Sequence, residues 1–428
     1  MTHNFLYGPS GAGKSIIGKC LAQNLKLPFV DSDQVIESNA GISIPQIMAE
    51  HGEGKLRDYE SSALKQIVME SERVIALGGG ALLREDNRAL VESCGEVILL
   101  RAKLSTLYER LQQDMHQRPL LEGDLKAKLT SYLEGRAEHY SSFPLKIDVD
   151  GKTPEQITHD AQVMLGLHHL SAMGEYDVQV GQIANLSYTN PMIVTDENVA
   201  KFHLEKIRQA VGSEAKSIVI PAGEEHKNLE IVSRLWKSFL EHGLDRKSTV
   251  IALGGGVIGD MAGFAASTYR RGIEWIAIPT TLLSMVDASM GGKTGFDLPE
   301  GKNLIGSFYP PRKVLADPSL LLTLPERELR SGMAEVVKHG IISDPELFEL
   351  CARGMDWVKA NLEEIVKRAM AVKIKVIEAD PYEKGFRAAL NLGHTVGHAV
   401  ELVSRFELRH GEAIAIGMAV ESKFSEEI

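Results

Sequence analysis

Residues 8–15 form the most distinctive chemical pattern in the chain. They read Gly-Pro-Ser-Gly-Ala-Gly-Lys-Ser, which matches the spacing G-x-x-x-x-G-K-[ST]. Glycines let backbone N–H groups turn towards phosphate oxygens, and a helix that starts here adds its positive end. Lys14 would reach the β- and γ-phosphates, and the Ser15 hydroxyl would bind Mg²⁺. The pattern predicts a nucleotide site but not the acceptor, and the alternative is a chance glycine-rich turn.

Several other polar residues in the first 165 positions could bind the acceptor. Asp31 and Asp33 end a short apolar strand, where ligands gather in open α/β sheets, although Asp-x-Asp is also common in solvated turns. Three glycines at 78–80 follow another strand and would allow a ligand close to the backbone. Arg57 is a further candidate, although a lone arginine is usually a surface charge. Residues 118–121 suit a mobile lid, and Arg136 begins the segment 136–140.

Taken together, these segments resemble the shikimate kinase family in order and spacing. The shared motifs are the loop at 8–15, Asp-Ser-Asp at 31–33, the segment 52–60, Gly-Gly-Gly at 78–80, Arg-Pro-Leu-Leu at 118–121 and Arg…Tyr at 136–140. The resemblance covers residues 1–166. It implies that shikimate is held by Asp33, Arg57, Gly79 and Arg136, with Asp33 orienting its 3-hydroxyl. It implies ATP on Gly11, Ala12, Gly13, Lys14, Ser15 and Arg118, with Mg²⁺ near Ser15 and Asp31. Lys14, Asp33 and Arg118 are its implied catalytic residues.

A second glycine-rich turn lies at residues 254–260, Gly-Gly-Gly-Val-Ile-Gly-Asp, between a predicted strand and a predicted helix. It lacks the full G-x-G-x-x-G pattern, so by itself it is moderate evidence for a dinucleotide. Glu224 and Lys227 follow another strand, where a polar turn is an equal alternative, and Thr280-Thr281 end a further one. The glycine-flanked Lys293 and Lys302 indicate an anion pocket.

Metal-ligand residue types occur in the helical region after residue 325. Glu335 and Lys338 are three positions apart and share a helix face, and His394 and His398 are four apart on one helix. Glu335, His394 and His410 could form a His₂Glu zinc site with an open position. Histidine pairs on helices are often only packed, and spacing cannot join them to an acid more than fifty residues away.

The motifs of residues 176–428 resemble the 3-dehydroquinate synthase family. These motifs are Pro-Ala-Gly-Glu-x-x-Lys, Gly-Gly-Gly-Val-Ile-Gly-Asp, Arg271, Pro-Thr-Thr-Leu-Leu, Gly-Gly-Lys-Thr, Gly-Lys-Asn, Ala-Glu-Val-Val-Lys and Asn-Leu-Gly-His-Thr-x-Gly-His. The resemblance implies Zn²⁺, or Co²⁺, on Glu335, His394 and His410. It implies an NAD⁺ site formed by Asp196, Asn198, Glu224, Lys227, Gly255, Gly256, Val257, Asp260, Thr280, Thr281, Lys293, Lys302 and Thr323. It implies a substrate pocket formed by Arg271, Asp287, Lys293, Lys302, Asn303, Lys338, Lys373, Arg387, Asn391 and His398.

The implied substrate, 3-deoxy-arabino-heptulosonate 7-phosphate, carries a carboxylate and a phosphate, which explains the Lys and Arg cluster. The resemblance implies metal polarisation of a hydroxyl, hydride transfer to NAD⁺ and back, phosphate loss and an intramolecular aldol step. Lys293, Lys338 and His398 are its implied catalytic residues, with His398 as a proton relay.

We therefore expect a bifunctional shikimate-pathway enzyme. The chain stops at Ile428, on the helix after His410, where the resemblance implies further helices and a late lysine, so we expect a truncated synthase half. The alternative hypothesis is an active kinase joined to a synthase module that only binds or oligomerises.

The elements that must position these residues alternate between strands and helices. Apolar strands are predicted at 5–7, 29–30, 73–77, 96–100, 146–149, 192–195, 217–220, 249–253 and 275–278. This pattern predicts parallel sheets, and residues after 325 read as helical. The expected architecture is α/β: a P-loop kinase domain at 1–166, a linker at 167–175, a Rossmann-like domain at 176–324 and an all-α metal-binding domain at 325–428.

Composition limits the remaining function classes. With 47 Lys+Arg and 58 Asp+Glu in 428 residues, the net charge is −11, and no basic stripe favours nucleic acid. No apolar run is long enough for a membrane span, and the N-terminus lacks a signal-peptide pattern. Three scattered cysteines are typical of a reducing compartment. We expect a cytoplasmic enzyme without nucleic-acid or membrane partners, and a homodimer through the synthase half.

Overall fold

The structure is a computed structural model, and it describes residues 2–113, 124–405 and 407–426. Its contacts divide the chain into two compact units, Met1–Leu165 and Gly166–Ile428, here called unit 1 and unit 2. Unit 2 therefore begins at the predicted linker.

Unit 1 alternates strands and helices. Its strands are β1 (His3–Tyr7), β2 (Phe29–Asp31), β3 (Val74–Ala76), β4 (Gly95–Arg101) and β5 (Leu145–Asp148). Its helices are α1 (Lys14–Leu25), α2 (Ser32–Ala40), α3 (Ile44–Ile67), α4 (Glu85–Cys94), α5 (Leu104–Gln113), α6 (Leu125–Gly135), α7 (Ala137–Ser141) and α8 (Pro154–Leu165). The strands form one parallel sheet in the order β2-β3-β1-β4-β5, which confirms the predicted α/β class.

The central strand β1 is fully buried, and its neighbours β3 and β4 are apolar at their centres, as expected for a parallel sheet covered on both faces. Local sequence fixes where the helices begin. Gly13, in a left-handed conformation, caps α1, and the Asp31 carboxylate caps α2 by accepting from the Asp33 N–H. Both helices thus start directly after a strand or its glycine turn, which places residues 8–15 and 31–33 at one edge of the sheet.

Unit 2 contains the strands β6 (Leu167–Leu170), β7 (Tyr176–Val180), β8 (Met192–Asp196), β9 (Lys216–Ile220), β10 (Val250–Gly254), β11 (Trp275–Pro279), β12 (Lys293–Leu298), β13 (Gly301–Phe308) and β14 (Lys313–Ala316). Its first helices are α9 (Glu197–Val199), α10 (Glu205–Val211), α11 (Leu229–Glu241) and α12 (Gly256–Thr268). The helical region contains α13 (Glu326–Ser343), α14 (Pro345–Cys351), α15 (Met355–Ala360), α16 (Leu362–Ala379), α17 (His394–Val403) and α18 (His410–Glu426).

The main sheet of unit 2 has the strand order β6-β7-β14-β11-β10-β8-β9. All neighbouring pairs are parallel except β6 with β7. The predicted linker at 167–175 is therefore partly wrong, because Leu167–Leu170 pairs with Tyr176–Val180 and completes the sheet edge. The short segment between them made the strand pattern hard to recognise.

Two other features differ from the expected pattern. Strands β12 and β13 form an antiparallel hairpin that sequence reasoning did not predict. The helices after residue 325 share one hydrophobic cluster with the sheet, through residues such as Leu329, Val336 and Ile365. The predicted boundary at 324 and the other domain limits stay predictions.

Glycines allow α17 and α18 to approach closely. A Cβ at Gly397 would lie 2.8 Å from the Ile414 side chain, and one at Gly393 would lie 2.6 Å from Met418. A Cβ at Gly411 or Gly417 would overlap the backbone oxygen of Ser331 or Gly393. This packing fixes the relative positions of the histidines that begin the two helices.

Replacing Gly411 by alanine should destabilise unit 2, because its methyl group would overlap backbone that cannot rotate away. We expect a loss of about 1–3 kcal/mol in the free energy of unfolding, as for overpacked cores. Urea denaturation followed by tryptophan fluorescence measures this, since unit 2 contains all three tryptophans, Trp236, Trp275 and Trp357.

The control for this variant is Ser422→Ala, on the exposed part of the same helix, with an expected change below about 0.5 kcal/mol. Equal stability of Gly411→Ala and wild type would contradict the packing described for α18.

Among the described residues, no helix has the length and apolarity needed to cross a bilayer.

Candidate active sites

The loop at residues 8–15 has the backbone of a phosphate cradle. Gly11 and Gly13 have φ angles of 85° and 93°, which side chains beyond glycine rarely tolerate. The Lys14 ammonium donates to the carbonyl oxygens of Gly8 and Pro9 at 2.9 and 3.0 Å, and thus folds back over the loop. Gly11, Ala12 and Gly13 thus lie between β1 and α1, and Lys14 and Ser15 begin α1.

A hydroxyl and a carboxylate meet beside this loop. Ser15 Oγ donates to Asp31 Oδ2 at 2.6 Å, while Asp31 Oδ1 accepts from the Asp33 N–H at 3.1 Å. Oxygen ligands of this kind suit Mg²⁺ bound together with substrate phosphates. The oxygens of Ser15 and Asp31 therefore fit the predicted magnesium position.

Arg57 is buried on α3 between two carboxylates. Its Nη1 donates to both oxygens of Glu60 at 2.8 Å, and its Nη2 donates to Glu53 Oε1 at 2.5 Å. Burial raises the pKa of Glu60, while Arg57 and Arg136 act in the opposite direction. A Cβ at Gly80 would overlap the Arg57 guanidinium, so a larger residue there would force that side chain to shift. The glycine turn thus lies directly on this arginine.

The Gly79 carbonyl oxygen accepts hydrogen bonds from three side chains. It accepts hydrogen bonds from Arg136 Nη1 at 2.6 Å, from the Tyr132 hydroxyl at 3.0 Å and from the Tyr7 hydroxyl at 3.4 Å. The Arg136 guanidinium also donates to the Tyr132 hydroxyl and stacks on its ring, 3.7 Å from the centroid. Asp33 Oδ1 lies against Gly78, 2.6 Å from where a Cβ would be.

The predicted acceptor residues Asp33, Arg57, Gly79 and Arg136 thus surround one glycine turn. Arg118 lies outside the described residues. Sequence reasoning missed Glu60 and Tyr132 as parts of this site. Glu60 looks like a surface charge on a helix, and the four-residue spacing of Tyr132 and Arg136 was the available signal for their contact.

In unit 2, the carboxyl ends of parallel strands bring the predicted cofactor residues to one edge of the sheet. Gly255 caps α12. A pocket here is lined by residues that include Gly255, Gly256, Asp260, Ser284, Ser289 and Lys293. The Thr280 hydroxyl oxygen is buried and accepts no hydrogen bond from the described residues. The edge therefore offers backbone and hydroxyl groups to a dinucleotide, with Val257 in the first turn of α12.

Lys227 connects two other predicted residues, Asp260 and Asn303. Its buried ammonium lies 2.6 Å from Asp260 Oδ2 and donates to Asn303 Oδ1 at 2.6 Å. Burial alone would lower the pKa of Lys227, but the Asp260 carboxylate raises it above its usual value. Through Asn303, Lys227 thus connects the β12–β13 hairpin, which also carries Lys302, to α12. The exposed Glu224 adds negative charge nearby.

Some predicted cofactor residues serve local structure. Asp196 Oδ1 accepts from the N–H groups of Asn198 and Val199, and thereby caps α9. Thr281 Oγ1 accepts from the Ser284 N–H at 3.1 Å, and the Thr323 hydroxyl bonds His203 Nε2 at 2.7 Å. The predicted cofactor roles of Asp196, Asn198, Thr281 and Thr323 stay predictions.

Glu335, His394 and His410 have ligand atoms that all lie within 4.8 Å of one another. Glu335 Oε1 is 3.8 Å from each imidazole Nε2 and accepts no hydrogen bond from the described residues, although its side chain is only 1% exposed. Burial, followed by the Lys338 ammonium, lowers the pKa of His394 to about 4, so its imidazole is neutral near pH 7. A buried carboxylate oxygen facing two imidazoles fits a metal ion.

Two lysines and an aspartate lie next to the metal-ligand cluster. Lys373 forms a close ion pair with Asp287, and Lys338 forms one with Glu335 Oε2. Burial alone would raise the pKa of Asp287, but Lys373 and Lys338 hold it well below its usual value. Burial lowers the pKa of the neighbouring His339 to about 3. Asp287, Lys338 and Lys373 are therefore brought together as predicted.

Two of the remaining predicted substrate residues, Asn391 and Lys293, lie beside Glu383. Its carboxylate accepts from the Asn391 amide at 2.7 Å and lies 3.8 Å from the Lys293 ammonium. Arg387 donates to the Pro381 carbonyl at 2.5 Å, and His398 is exposed on α17, 6.1 Å between ring centres from His410. No hydrogen bond or ion pair within the described ranges joins the exposed Arg271 to this group.

Comparison with known protein families assigns both units. The family model described as "Shikimate kinase" matches residues 10–165. Models described as "3-dehydroquinate synthase N-terminal" and "3-dehydroquinate synthase C-terminal" match residues 217–331 and 332–428. The matches follow the division into unit 1 and unit 2.

Individual relatives support the assignment of unit 2. A 3-dehydroquinate synthase from Rippkaea orientalis is 52% identical over 221 residues, which are 50% of this chain and 60% of the relative. One from Acetivibrio thermocellus is 47% identical over 249 residues, 56% of this chain and 69% of the relative. A solved structure of 2-deoxy-scyllo-inosose synthase, complexed with carbaglucose-6-phosphate, NAD⁺ and Co²⁺, superposes with a TM-score of 0.55 at 29% identity, covering 61% of this chain and 77% of that one.

The fold and the two sites define a chain with a nucleotide-loop α/β unit followed by an α/β unit that carries a dinucleotide edge and a metal-ligand cluster. The chain belongs to the 3-dehydroquinate synthase family and carries a shikimate kinase domain before the synthase domains. It spans 60–69% of the length of the two curated relatives named above.

Proposed function

We propose that the chain is a bifunctional shikimate-pathway enzyme. Unit 1 would phosphorylate shikimate to shikimate 3-phosphate with ATP and Mg²⁺. Unit 2 would convert 3-deoxy-arabino-heptulosonate 7-phosphate to 3-dehydroquinate and phosphate with NAD⁺ and Zn²⁺ or Co²⁺. The observation that carries the synthase proposal is the buried Glu335 oxygen between two imidazoles, and the kinase proposal depends on the loop at 8–15 beside the arginine pair.

The kinase proposal is supported by charges arranged for a carboxylate and a hydroxyl. Arg57 and Arg136 provide guanidinium groups that bind carboxylates in a planar, two-pronged geometry. The Glu60 carboxylate offsets their mutual repulsion, since it contacts Arg57 directly and interacts favourably with the charges of both arginines. Asp33, held at the start of α2, would orient the hydroxyl that attacks the phosphate. When bound, Mg²⁺ neutralises charge on the phosphates.

The synthase proposal is supported by one metal-ligand cluster bordered by cationic groups. When bound, the metal ion would polarise a substrate hydroxyl and NAD⁺ would accept and return a hydride. Lys338 and Lys373, held by Glu335 and Asp287, would bind the anionic substrate, and Lys293 at the pocket edge would join them. The exposed His398 near His410 would relay protons.

Two assays on the full chain test the proposal. Shikimate-dependent ADP formation measures the kinase, and phosphate release from 3-deoxy-arabino-heptulosonate 7-phosphate measures the synthase, with metal removed by a chelator and added back. We expect both activities, the second only with NAD⁺ and metal. Absence of either would refute that half. The alternative of a non-catalytic synthase module predicts ADP formation without phosphate release.

Compartment and assembly also belong to the proposal. We place the enzyme in the cytoplasm, because Cys20, Cys94 and Cys351 are free thiols, which suits a reducing compartment. A homodimer through unit 2 is proposed with it, and light scattering on the purified chain would report a mass near twice that of one chain.

Tyr132→Phe should weaken shikimate binding with little effect on the phosphoryl transfer step. The variant keeps the ring under Arg136 but removes the hydroxyl that bonds Gly79 and Arg136. A net hydrogen bond is worth about 1 kcal/mol, so we expect KM for shikimate to rise about fivefold, with kcat within about twofold. Steady-state kinetics with both substrates varied measures this.

The control is Tyr108→Phe, because the Tyr108 hydroxyl accepts from Gln112 on α5. Its KM for shikimate should equal that of wild type. If Tyr132→Phe also equals wild type, Tyr132 does not position Arg136.

A further inference from the structure

Glu401 lies on the opposite side of His410 from the metal-ligand cluster. Glu401 Oε1 is 3.1 Å from His410 Nδ1, whereas His410 Nε2 faces Glu335 Oε1 at 3.8 Å. One imidazole thus has a carboxylate at each nitrogen. We propose that Glu401 is a positioning residue, which accepts the Nδ1 proton of His410 and directs the Nε2 lone pair towards the metal; this deepens, and depends on, the synthase activity proposed above.

His394, the second histidine of the cluster, has a neutral hydrogen-bond acceptor at Nδ1 in place of a carboxylate. His394 Nδ1 is 3.3 Å from the Leu392 carbonyl oxygen, and its Nε2 faces Glu335. Both imidazoles therefore have an acceptor at Nδ1 and present Nε2 to the site. Only His410 has a charged acceptor, and a hydrogen bond to a carboxylate holds an imidazole more firmly than one to a carbonyl. The two ligands are thus unequal, and His410 is the one that Glu401 strengthens.

The fold fixes this contact. Glu401 is two helical turns after His394 on α17, so both face the start of α18, where His410 lies. Close approach of the two helices at Gly397 leaves the Glu401 side chain 15% exposed and thus largely shielded from water. Water would compete poorly for a carboxylate in this position.

A competing arrangement uses the same residues. Ligand atoms of His398, Glu401 and His410 also lie within 4.8 Å of one another, so a second ion could bind there. In that case His410 Nδ1 would be a ligand rather than a donor. The separation of 3.1 Å is a normal hydrogen-bond distance, and His398 is exposed, so the geometry favours a positioning carboxylate.

The test is Glu401→Gln in the full chain, stripped of metal and titrated with Zn²⁺ against a chromophoric chelator. Loss of an outer carboxylate typically costs 10–100-fold in metal affinity, so we expect a fall of at least about tenfold with one ion bound per chain. The visible spectrum of the Co²⁺-loaded protein should shift, because His410 would no longer be held in its orientation by a carboxylate. The control is Glu407→Gln, an exposed carboxylate near His410, which should match wild type in both measurements.

Each result has a defined meaning. Equal Zn²⁺ affinity and equal Co²⁺ spectra for Glu401→Gln and wild type would overturn the positioning role. Two ions on wild type and one on the variant would also overturn it, in favour of the second site. Glu401→Asp, which keeps the charge but shortens the side chain, should have an intermediate affinity if the glutamine variant does not fold. A wild-type chain that binds no metal would refute the proposed synthase activity itself, which separates the two failures.

Discussion

Glu335→Gln is expected to abolish phosphate release from 3-deoxy-arabino-heptulosonate 7-phosphate, by at least about three orders of magnitude in kcat, while shikimate-dependent ADP formation continues unchanged. Glu335 is the anionic member of the cluster with His394 and His410, and a neutral amide is a much weaker ligand for Zn²⁺. Removing a preorganised charge from a reacting site costs about 10²–10³ in rate, and losing the metal adds to this.

The same substitution has a second cost, because Lys338 would lose its buried counter-ion. The Lys338 and Glu335 side chains are 2% and 1% exposed. Breaking a buried pair by neutralising one partner costs about 3–5 kcal/mol, so unit 2 should unfold at a lower urea concentration. Metal content, phosphate release and tryptophan fluorescence together measure both effects.

Glu326→Gln, an exposed position on the same helix, is the matched control and should retain metal and activity. Glu335→Asp, which keeps the charge, should recover part of the metal binding. Wild-type metal content and turnover in Glu335→Gln would exclude Glu335 as a ligand.

Lys14→Ala is expected to reduce shikimate phosphorylation by about three orders of magnitude in kcat without affecting the synthase assay. Its ammonium stands over the loop that holds the phosphates, and phosphoryl transfer depends mainly on positioning and charge neutralisation. Removing one such preorganised cation costs about 10²–10³ in rate. Initial rates at saturating ATP and shikimate measure the change.

The control for Lys14→Ala is Lys19→Ala, an exposed lysine later on α1, which should keep full kinase activity. If Lys14→Ala still phosphorylates shikimate at the wild-type rate, the phosphate site is not the loop at 8–15. Because each variant should affect one activity only, the pair also tests whether the two sites work independently.

Much of the fold and of the two candidate sites could be predicted from the sequence, because the informative signals lie in neighbouring residues. Glycines at strand ends, such as Gly8 after β1 and Gly254 at the end of β10, indicate from neighbouring residues alone both a turn and a sheet edge that can bind a ligand. The cluster of Glu335 with His394 could not be obtained in this way, because 59 residues separate them and their contact depends on helix packing. Only the resemblance to the 3-dehydroquinate synthase family indicated that Glu335 and His394 belong to one metal site.

Other parts were missed because burial is not visible in a residue type. Glu60 and Glu401 each look like helix surface charges, yet their side chains are 4% and 15% exposed and each binds a functional residue. The β12–β13 hairpin was missed because Leu304, Ile305 and Phe308 are exposed, so its apolar residues do not follow the buried pattern of a strand. Leu167–Leu170 was missed because its strand partner begins only six residues later.

The balance of charges around Arg57 also determines how the site responds to salt. Arg57 and Arg136 carry two positive charges, and Glu53 and Glu60 carry two negative charges within the same group of contacts. A neutral group projects little field beyond a Debye length of about 8 Å at physiological ionic strength. An anionic substrate would therefore be recognised at contact by the fixed geometry of the guanidinium groups rather than steered from a distance, so its rate of capture should depend only weakly on ionic strength.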